Sequence, residues 1–520
     1  MPEEAPVDTF DYVVVGGGTA GSVVAARLTE DPEVSVCLLE AGPSDVGDDN
    51  ILQLTKWMAL LESGYDWDYP IEPQVNGNSF MRHARARVLG GCSSHNSAIA
   101  FWAPAEDLDE WAAMGCTGWS AAECFPFYQL LENNDEPGDH HGRSGPVRIR
   151  NVPPNDPCGR ALLEACAAAG IPTTPFNTGT TVIRGAHWFQ INAREDGTRS
   201  SASVSYLHPI LGKRPNLELR TEVRAKRVVF DGNGRATGVE YLDPDLIHSR
   251  TVSARREVVV SCGAIDSPKL LMLSGIGPAA HLRETGVDVR VDAPGVGSHL
   301  IDHPEGLIMW EAKQPMVTSS TQWWEIGIFT DTQPGLDRPD LMFHYGSVPF
   351  DMNTYRHGYP TTENAFCLTP NVTRARSSGT VRLRTRDFRD KPRVDPQYFT
   401  DEHDVRVMTH GLRLAREIAA QPPLADWAGT ELAPGPDAQS DEELFDYIRK
   451  THNTVYHPAG TVKMGTEDDP TAPVDPQLKV KGVTGLRVAD ASIMPFLPAV
   501  NPCITTMMIG EKCADMIKRG

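Results

Sequence analysis

The sequence has 520 residues, with 48 Lys or Arg, 69 Asp or Glu and a formal net charge of −21, which argues against binding to nucleic acids or anionic lipids. Its hydrophobic fraction of 40% and charged fraction of 22% are those of a globular protein and exclude general disorder. At ~150 residues per domain the length allows about three or four domains, although large α/β enzymes often interleave two.

The spacing of the cysteines indicates the cellular compartment of the protein. Ten of them are scattered between Cys37 and Cys513 without a CxxC pair, which is typical of free thiols in a reducing environment. Residues 1–8 are acidic and lack the cationic and apolar regions of a secretory signal. No apolar run approaches the ~20 residues that a membrane helix needs. The sequence therefore predicts a cytoplasmic protein that does not span a membrane.

Strands and helices follow from the hydrophobic pattern. A buried strand is predicted over 11–15, followed by three glycines, a small-residue helix to Leu28 and a strand over 34–40. Further strands are predicted over 227–230 and 239–242, which form a hairpin, and over 257–261 and 486–488. Helices are predicted over 121–133, 157–169, 266–274, 403–420, 440–450 and 503–517. Residues 310–400, rich in Trp, Tyr and Pro, predict a second, sheet-based region, and the absence of a linker predicts interleaved domains.

A glycine motif stands between the first strand and the first helix. Gly16, Gly18 and Gly21 have the GxGxxG spacing, and Glu40 ends the next strand. The glycines permit a tight turn, and the helix N-terminus directs N–H groups at a pyrophosphate. Glu40 would accept hydrogen bonds from an adenosine ribose, which disfavours a 2′-phosphate there. Together these features predict a dinucleotide site.

A second match to this spacing, at 275–280, follows a predicted helix rather than a strand and contains Pro278. We interpret it as the turn that ends that helix. One fingerprint indicates one dinucleotide, either FAD or NAD.

Two polar stretches have residue types that are suited to binding a cofactor and to the chemistry of an alcohol substrate. Residues 87–97 combine glycines with Ser, His and Asn, which fits either a loop along a flat cofactor or an ordinary polar turn. Residues 452–458, with two histidines and Asn453, and Asn501 further on offer a histidine and an amide, as alkoxide-forming chemistry requires, although with 16 histidines in the chain any single one is more simply structural. His299 and His303 are four residues apart, but Pro304 follows and no set of carboxylates accompanies them, so we expect no metal site.

The aromatic residues leave two interpretations open. They could be ordinary core residues, or they could form the walls of a cage for a quaternary ammonium group. The residues concerned are Trp57, Trp67, Trp323, Trp324 and Tyr456.

Jointly, these motifs resemble the glucose–methanol–choline flavin oxidoreductases. The match is carried by the glycine motif with Glu40, the loop Gly90-Gly91-Cys-Ser-Ser and residues 263–277, with His457 and Asn501-Pro502 near the C-terminus. A closer similarity, to the members that oxidise choline, is carried by residues 64–73, 93–97, 302–306, 322–329 and 343–350. The stretch 495–503 is more apolar than that similarity leads one to expect.

The resemblance implies FAD as the cofactor, with His95 matching the histidine that attaches covalently to the flavin. The residues implied to contact the cofactor are Gly16, Gly18, Gly21, Glu40, Gly90, Gly91, His95, Asn96, Val223, Asp490, Ala491 and Pro502. The implied catalytic residues are His457, Asn501, His344 and Ser97, and the implied substrate-binding residues are Glu305, Trp57, Trp324, Tyr456 and Val455. Glu305 would face a trimethylammonium group. His457 is the preferred base, although the choice of histidine stays open.

The implied fold is α/β, with a Rossmann-like FAD-binding domain built from discontinuous segments and a substrate domain with an antiparallel sheet flanked by helices. We expect the FAD-binding domain to comprise 1–155, 197–304 and 455–520, and the substrate-binding domain to comprise 156–196 and 305–454.

The implied activity is oxidation of choline, through betaine aldehyde, to glycine betaine, with O₂ reduced to H₂O₂. Alternatives are a dehydrogenase of the same family that uses another acceptor, an oxidase of other primary alcohols, a flavin-binding lyase, an NAD-dependent dehydrogenase and a protein that only binds a ligand. A homodimer is left open.

Overall fold

The structure is a computed structural model that describes residues 8–136, 138, 140–178, 183–245 and 247–520. Residues 1–7, most of the acidic N-terminal stretch, lie outside the described part. Two large sheets organise the described chain.

The first sheet contains the glycine motif at its centre. Its strands run in the order Arg224–Phe230, Ala236–Leu242, Ser249–Val260, Thr9–Val15, Val36–Leu39 and Leu217–Arg220, and Leu486–Val488 pairs with the end of Ser249–Val260. Thr9–Val15 pairs in parallel with both neighbours, and its last residues are fully buried, as expected for a β-branched run covered on both faces. The predicted hairpin is antiparallel and turns at Asp231–Gly234.

Antiparallel strands form the second sheet. Their order is Ala428–Ala433, Ile308–Ala312, Ala365–Val372, Leu341–Gly346, Trp324–Thr330 and Gly185–Trp188. Two short strands, Pro304–Glu305 and Asn453–Thr454, pair with each other at its margin. Every residue of Leu341–Gly346 and Ala365–Val372 is buried, because helices cover this sheet. Gly411 in the helix Glu402–Ala419 lies directly against Pro370.

Minor strands complete the β structure. They are Ile276–Gly277 with Val291–Asp292, Thr380–Arg382 with Arg393–Asp395, Tyr69–Pro70 with Arg82–His83, and Glu132–Asn134 with Val147–Asn151 and Gln190–Ile191.

All the predicted helices are present, and their ends agree closely with the prediction. The α-helices are Thr19–Leu28, Asp49–Leu52, Ala105–Ala113, Ala121–Leu131, Pro157–Ala168, Gly263–Leu273, Ala279–Glu284, Glu402–Ala419, Pro422–Ala425, Asp441–Thr451 and Cys503–Arg519. Short helical turns of other types cover Leu54–Leu60, Gly91–Ser94, Ser203–Leu207, Tyr355–His357 and Ala491–Ile493. In the described part of the chain, no helix is long and apolar enough to cross a membrane.

Close packing explains the glycine spacing. Gly16 has a φ of +99°, and a Cβ there would lie 2.4 Å from the Ser261 carbonyl oxygen. A Cβ on Gly21 would lie 2.0 Å from the Gly16 carbonyl oxygen. These contacts hold the first helix against its strand. The second glycine pair, Gly275 and Gly277, lies in a turn that ends a helix, as predicted. Gly275, with a φ of +84°, follows the end of the helix at Leu273.

The architecture therefore confirms the α/β class, with a largely parallel nucleotide-binding type of sheet and a separate antiparallel sheet. The residue boundaries of the two domains stay a prediction.

Candidate active site

A cavity of about 310 Å³ reaches from the glycine motif to the second sheet. Most of the residues that the sequence singled out line it: Gly16, Gly18, Glu40, Gly91, His95, Asn96, Val223, Asp490, Ala491 and Pro502, and Ser97, Trp57, Glu305, Trp324, His344, Val455, Tyr456, His457 and Asn501. Gly21 and Gly90 do not line the cavity but lie behind the residues that do. Gly90 has a φ of +86° and shapes the loop before His95, since a Cβ there would lie 2.2 Å from Ser94 Oγ.

One end of the cavity fits the diphosphate and ribose of a dinucleotide. The helix Thr19–Leu28 begins at Gly18 without a side-chain cap, and Gly18, Thr19 and Ala20 line the cavity. Its free N–H groups and dipole therefore face the space. Glu40 is fixed by the N–H groups of Gly17 at 2.9 Å and Gly42 at 2.7 Å. Burial raises the pKa of Glu40 to about 7.

Backbone lines the middle of the cavity, as a flat ring system requires. A Cβ on Gly91 would lie 2.7 Å from the Gly18 Cα atom. The Asp490 carboxylate accepts hydrogen bonds from Gly263 N at 2.9 Å and Ser492 N at 2.8 Å, and it begins the turn that contains Ala491. The residues present therefore fit FAD.

His95 lies in a fixed loop at the cavity. Its Nε2 lies 3.0 Å from the Leu60 carbonyl oxygen, and burial lowers the pKa of His95. The fully buried Arg199 donates from Nη1 to the Asn96 carbonyl oxygen at 2.7 Å and fixes the loop from below. A neutral imidazole in a fixed loop is a competent nucleophile.

Two contacts define the tautomer of His457. Its Nδ1 lies 3.0 Å from His303 Nδ1, and its Nε2 lies 3.4 Å from Asn501 Nδ2. The amide group donates to Nε2, so Nε2 carries the lone pair and Nδ1 carries the hydrogen. Burial lowers the pKa of His457 well below its ordinary value, and burial also lowers that of His303 to about 4. His457 is therefore neutral, with an accepting Nε2 at the cavity.

His344 has the opposite polarity. Its Nδ1 lies 3.3 Å from Asn371 Nδ2, so Nδ1 accepts and Nε2 carries the hydrogen. His344 Nε2 and Asn501 Oδ1 are buried and have no partner among the described residues. Burial lowers the pKa of His344 to about 4. The cavity thus presents an acceptor on one histidine and a donor on the other.

Glu305 is a buried carboxyl group that lines the cavity. Asn453 Nδ2 approaches it at 3.5 Å and also donates to the Tyr456 hydroxyl at 3.3 Å. Burial raises the pKa of Glu305 to about 8. The carboxyl group therefore lacks a cationic partner in the described part of the chain, and it would gain one from a bound cation.

Aromatic residues line the same cavity as this carboxyl group. Trp57 donates from Nε1 to the Gln322 carbonyl oxygen at 2.8 Å. Trp324 packs edge-on against Phe350, with ring centroids 5.1 Å apart. Both tryptophans are buried yet line the cavity with Tyr456, which favours the cage over simple core packing. Trp67 also lines the cavity, whereas Trp323 packs beside the second sheet.

A carboxylate that the sequence analysis did not single out holds this site together. Asp302 Oδ1 accepts hydrogen bonds from the N–H groups of His303 and His457, both at 2.9 Å. Its Oδ2 accepts from the hydroxyls of Tyr398 and Thr454. Burial alone would raise the pKa of Asp302, but these hydroxyls and the nearby His83 ring hold it below the ordinary value.

Sequence reasoning also missed His303, Asn453 and Phe350. His303 was considered only as a metal ligand, and it instead contacts His457. The short segment 302–306, quoted for its similarity, was the signal that could have found both Asp302 and His303.

Replacing Asp302 with Ala should strongly destabilise the protein, since it leaves four buried donors without an acceptor, at about 1–3 kcal/mol each. Urea unfolding should show a loss of more than about 3 kcal/mol. Asp231→Ala, in an exposed turn, should cost much less. Equal losses in the two variants would contradict the anchoring role of Asp302.

Comparison with known proteins agrees with this geometry. The GMC oxidoreductase family models match residues 10–305 and 375–510. Choline oxidase from Arthrobacter globiformis is 69% identical over 98% of this chain and 94% of its own length. The mitochondrial choline dehydrogenase from Mus musculus is 39% identical over 98% of this chain and 90% of its own length.

Among solved structures, pyridoxine 4-oxidase from Mesorbium loti superposes with a TM-score of 0.91 and 33% identity, covering 98% of this chain and 99% of that one. The cavity, the glycine motif and these matches lead to one conclusion: the chain belongs to the GMC oxidoreductase family.

Proposed function

We propose that the protein is an FAD-dependent oxidase that converts choline, through betaine aldehyde, to glycine betaine and reduces O₂ to H₂O₂. The observation that carries the proposal is Glu305, a buried carboxyl group 3.9 Å from His344 Nδ1, which lines one cavity with His457 and the aromatic residues Trp57, Trp324 and Tyr456. A substrate that joins a quaternary ammonium to a primary alcohol suits both halves of this site. The 69% identity to a choline oxidase supports the same substrate.

Glu305 and the aromatic walls bind the trimethylammonium group. The carboxylate supplies Coulomb attraction in a site of low dielectric, and the ring faces of Trp57, Trp324 and Tyr456 add cation–π contacts. Val455 contributes apolar surface next to Tyr456. Holding this end of the molecule fixes where the hydroxyl group lies.

His457 accepts the hydroxyl proton at Nε2, because the ring is neutral and the substrate hydroxyl takes the place of the 3.4 Å contact between this lone pair and Asn501 Nδ2. His344 donates from Nε2 to the oxygen as negative charge develops, and the amide of Asn501 adds a second donor. The contact between His303 and His457 keeps the base in the required tautomer. Ser97 lines the cavity next to the loop of His95, and we propose that it contacts the substrate oxygen.

The part of the cavity near the glycine motif would hold the cofactor. Gly16, Gly18, Glu40, Gly91, Val223, Asp490, Ala491, Asn96 and Pro502 line its part of the cavity, while Gly21 and Gly90 shape the backbone behind them. FAD supplies hydride acceptance from the alcohol carbon and reoxidation by O₂. We propose a covalent bond from His95 to the flavin, since the ring is neutral, buried and fixed.

An oxidase is favoured over a dehydrogenase by the comparisons. Identity to the choline oxidase is 69%, against 39% to the mitochondrial choline dehydrogenase. An oxidase of other primary alcohols is the second candidate, and the buried Glu305 disfavours it for neutral alcohols.

Two further proposals concern the whole chain. The first is that the domain boundaries are those expected from the sequence. With these boundaries, the strands of the first sheet lie in one domain and those of the second sheet in the other, except that Pro304 falls on the FAD-binding side of a boundary. A cytoplasmic location is supported by the ten cysteines, which are all unpaired.

Choline should bleach the yellow protein under anaerobic conditions, and admitting air should restore the flavin absorbance with formation of H₂O₂. Stopped-flow absorbance and a peroxide assay measure both steps. Bleaching without recovery in air would contradict oxidase activity and favour the dehydrogenase. Absence of bleaching would contradict choline as the substrate.

Glu305→Gln should lower kcat/KM for choline by about 30- to 100-fold, because the ammonium group loses its counter-charge in a buried site. Its effect on 3,3-dimethylbutan-1-ol, the neutral isostere of choline, should stay within about threefold. Glu311→Gln, at an exposed position on the next strand, is the matched control.

The same carboxyl group sets a pH dependence. In the wild type, KM for choline should rise as the pH falls below about 8, because protonation removes the charge of Glu305. The neutral isostere and the Glu305→Gln variant should lack this dependence. If Glu305→Gln lowered kcat/KM equally for choline and for the neutral isostere, Glu305 would have only a structural role.

His95→Ala should release the flavin into the supernatant after acid precipitation, whereas the wild-type flavin should stay with the pellet, because only His95 would form the bond. Flavin fluorescence in each fraction measures the outcome. His248→Ala, an exposed position, is the control. Flavin that leaves the wild-type pellet would contradict the covalent bond.

A further inference from the structure

A buried ionic cluster lies next to the segment that carries Asn501. Asp107, in the helix Ala105–Ala113, is fully buried. Its Oδ1 accepts hydrogen bonds from Nη1 of Arg338 and from Nη1 of Arg374, both at 2.8 Å. Its Oδ2 accepts from the N–H group of Ala499 at 2.9 Å. One carboxylate thus accepts hydrogen bonds from three separate chain segments. One of these contacts, with Ala499, lies two residues before Asn501.

The segment before Asn501 depends on such external anchors. Residues 495–500 are apolar and offer no polar side chain that could fix them. Trp111, in the same helix as Asp107, donates from Nε1 to the Phe496 carbonyl oxygen at 3.2 Å. The Arg374 guanidinium lies 5.5 Å from the centre of the Phe496 ring. The unusual apolar character of this stretch is therefore compatible with a fixed Asn501.

The arginines connect this anchor to the other side of the site. Arg338 precedes the strand Leu341–Gly346, which carries His344. Arg374 follows the strand Ala365–Val372, which carries the Asn371 partner of His344. Asp107 therefore contacts both the segment of Asn501 and the two arginines that flank the strands of His344 and Asn371.

We propose that Asp107, with Arg338 and Arg374, is a positioning residue for alcohol oxidation, because it fixes Asn501 relative to His344 and His457. Asp107 does not line the cavity, so it acts through the Ala499 backbone rather than on the substrate. The inference rests on the role proposed above for Asn501.

Asp107→Asn tests this role with little change of size. The carboxylate accepts from three donors, whereas the amide offers one accepting oxygen and a donating nitrogen that must face another donor. The variant should lower kcat for choline by at least about 30-fold, while KM and flavin content stay within about twofold.

Glu110→Gln is the matched control. Glu110 lies on the same helix and accepts from Nη2 of both Arg338 and Arg374, but it does not contact Ala499. Its kcat should stay within about threefold of the wild type. A loss as large as that of Asp107→Asn would show that any weakening of the ion pairs suffices, and it would overturn the specific role of Asp107.

A double-mutant cycle with Asn501→Ala separates positioning from stability. If Asp107 acts through Asn501, adding Asp107→Asn to Asn501→Ala should lower kcat by no more than about twofold further. Losses that multiply would overturn the proposal, whatever the change in thermal unfolding. An Asn501→Ala variant with wild-type kcat would instead overturn the role of Asn501 proposed above.

Arg374→Met is run in parallel as a second variant, so that the test survives poor folding of Asp107→Asn. It removes one of the two cations that hold Asp107. Added to Asn501→Ala, Arg374→Met should also lower kcat by no more than about twofold further. Losses in kcat that multiply would overturn the proposal here as well.

Discussion

The geometry of the candidate site depends on the hydrogen bonds that Asp302 accepts. This one carboxylate binds the backbone of His303 and His457 and the hydroxyls of Tyr398 and Thr454. It thereby joins the segments that form the two short strands Pro304–Glu305 and Asn453–Thr454. His457 and Glu305, the proposed proton acceptor and ammonium-binding group, lie on these two segments, so a single buried charge links their positions.

Burial then gives each titratable group its chemical role. Removing water lowers the pKa of His457 and His344, so both rings stay neutral, and their hydrogen-bond partners make one an acceptor and the other a donor. The same desolvation raises the pKa of Glu305 to about 8, so the charge appears most readily when a cation is present. Recognition of the ammonium group and ionisation of the carboxyl group are therefore one coupled equilibrium.

Local signals made the fold and the cofactor end predictable. A β-branched strand, three glycines and an acid at the end of the next strand form one contiguous pattern, and the structure places Gly16, Gly18 and Glu40 at the cavity. The contact between His303 and His457 joins residues 154 positions apart through strands of two residues, too short to leave a periodic signal. Resemblance rather than periodicity indicated His457 and Glu305, and nothing in the pattern around Asp107 indicated that it contacts Ala499.

The residues proposed for substrate recognition and for proton transfer both come from several separated parts of the chain. Residues 306–374, between the two family matches, carry His344, Trp324 and Phe350, whereas His457 and Asn501 lie in the second match. The reaction needs His344 and Asn501 at a fixed separation, and the contacts of Asp107 with Arg338 and Ala499 connect these two parts directly. If Asp107 has the role proposed above, a substitution within residues 306–374 that displaces Arg338 would also shift the segment of Asn501. The proposal thus links the substrate pocket to the rate of the reaction through a residue that does not line the cavity.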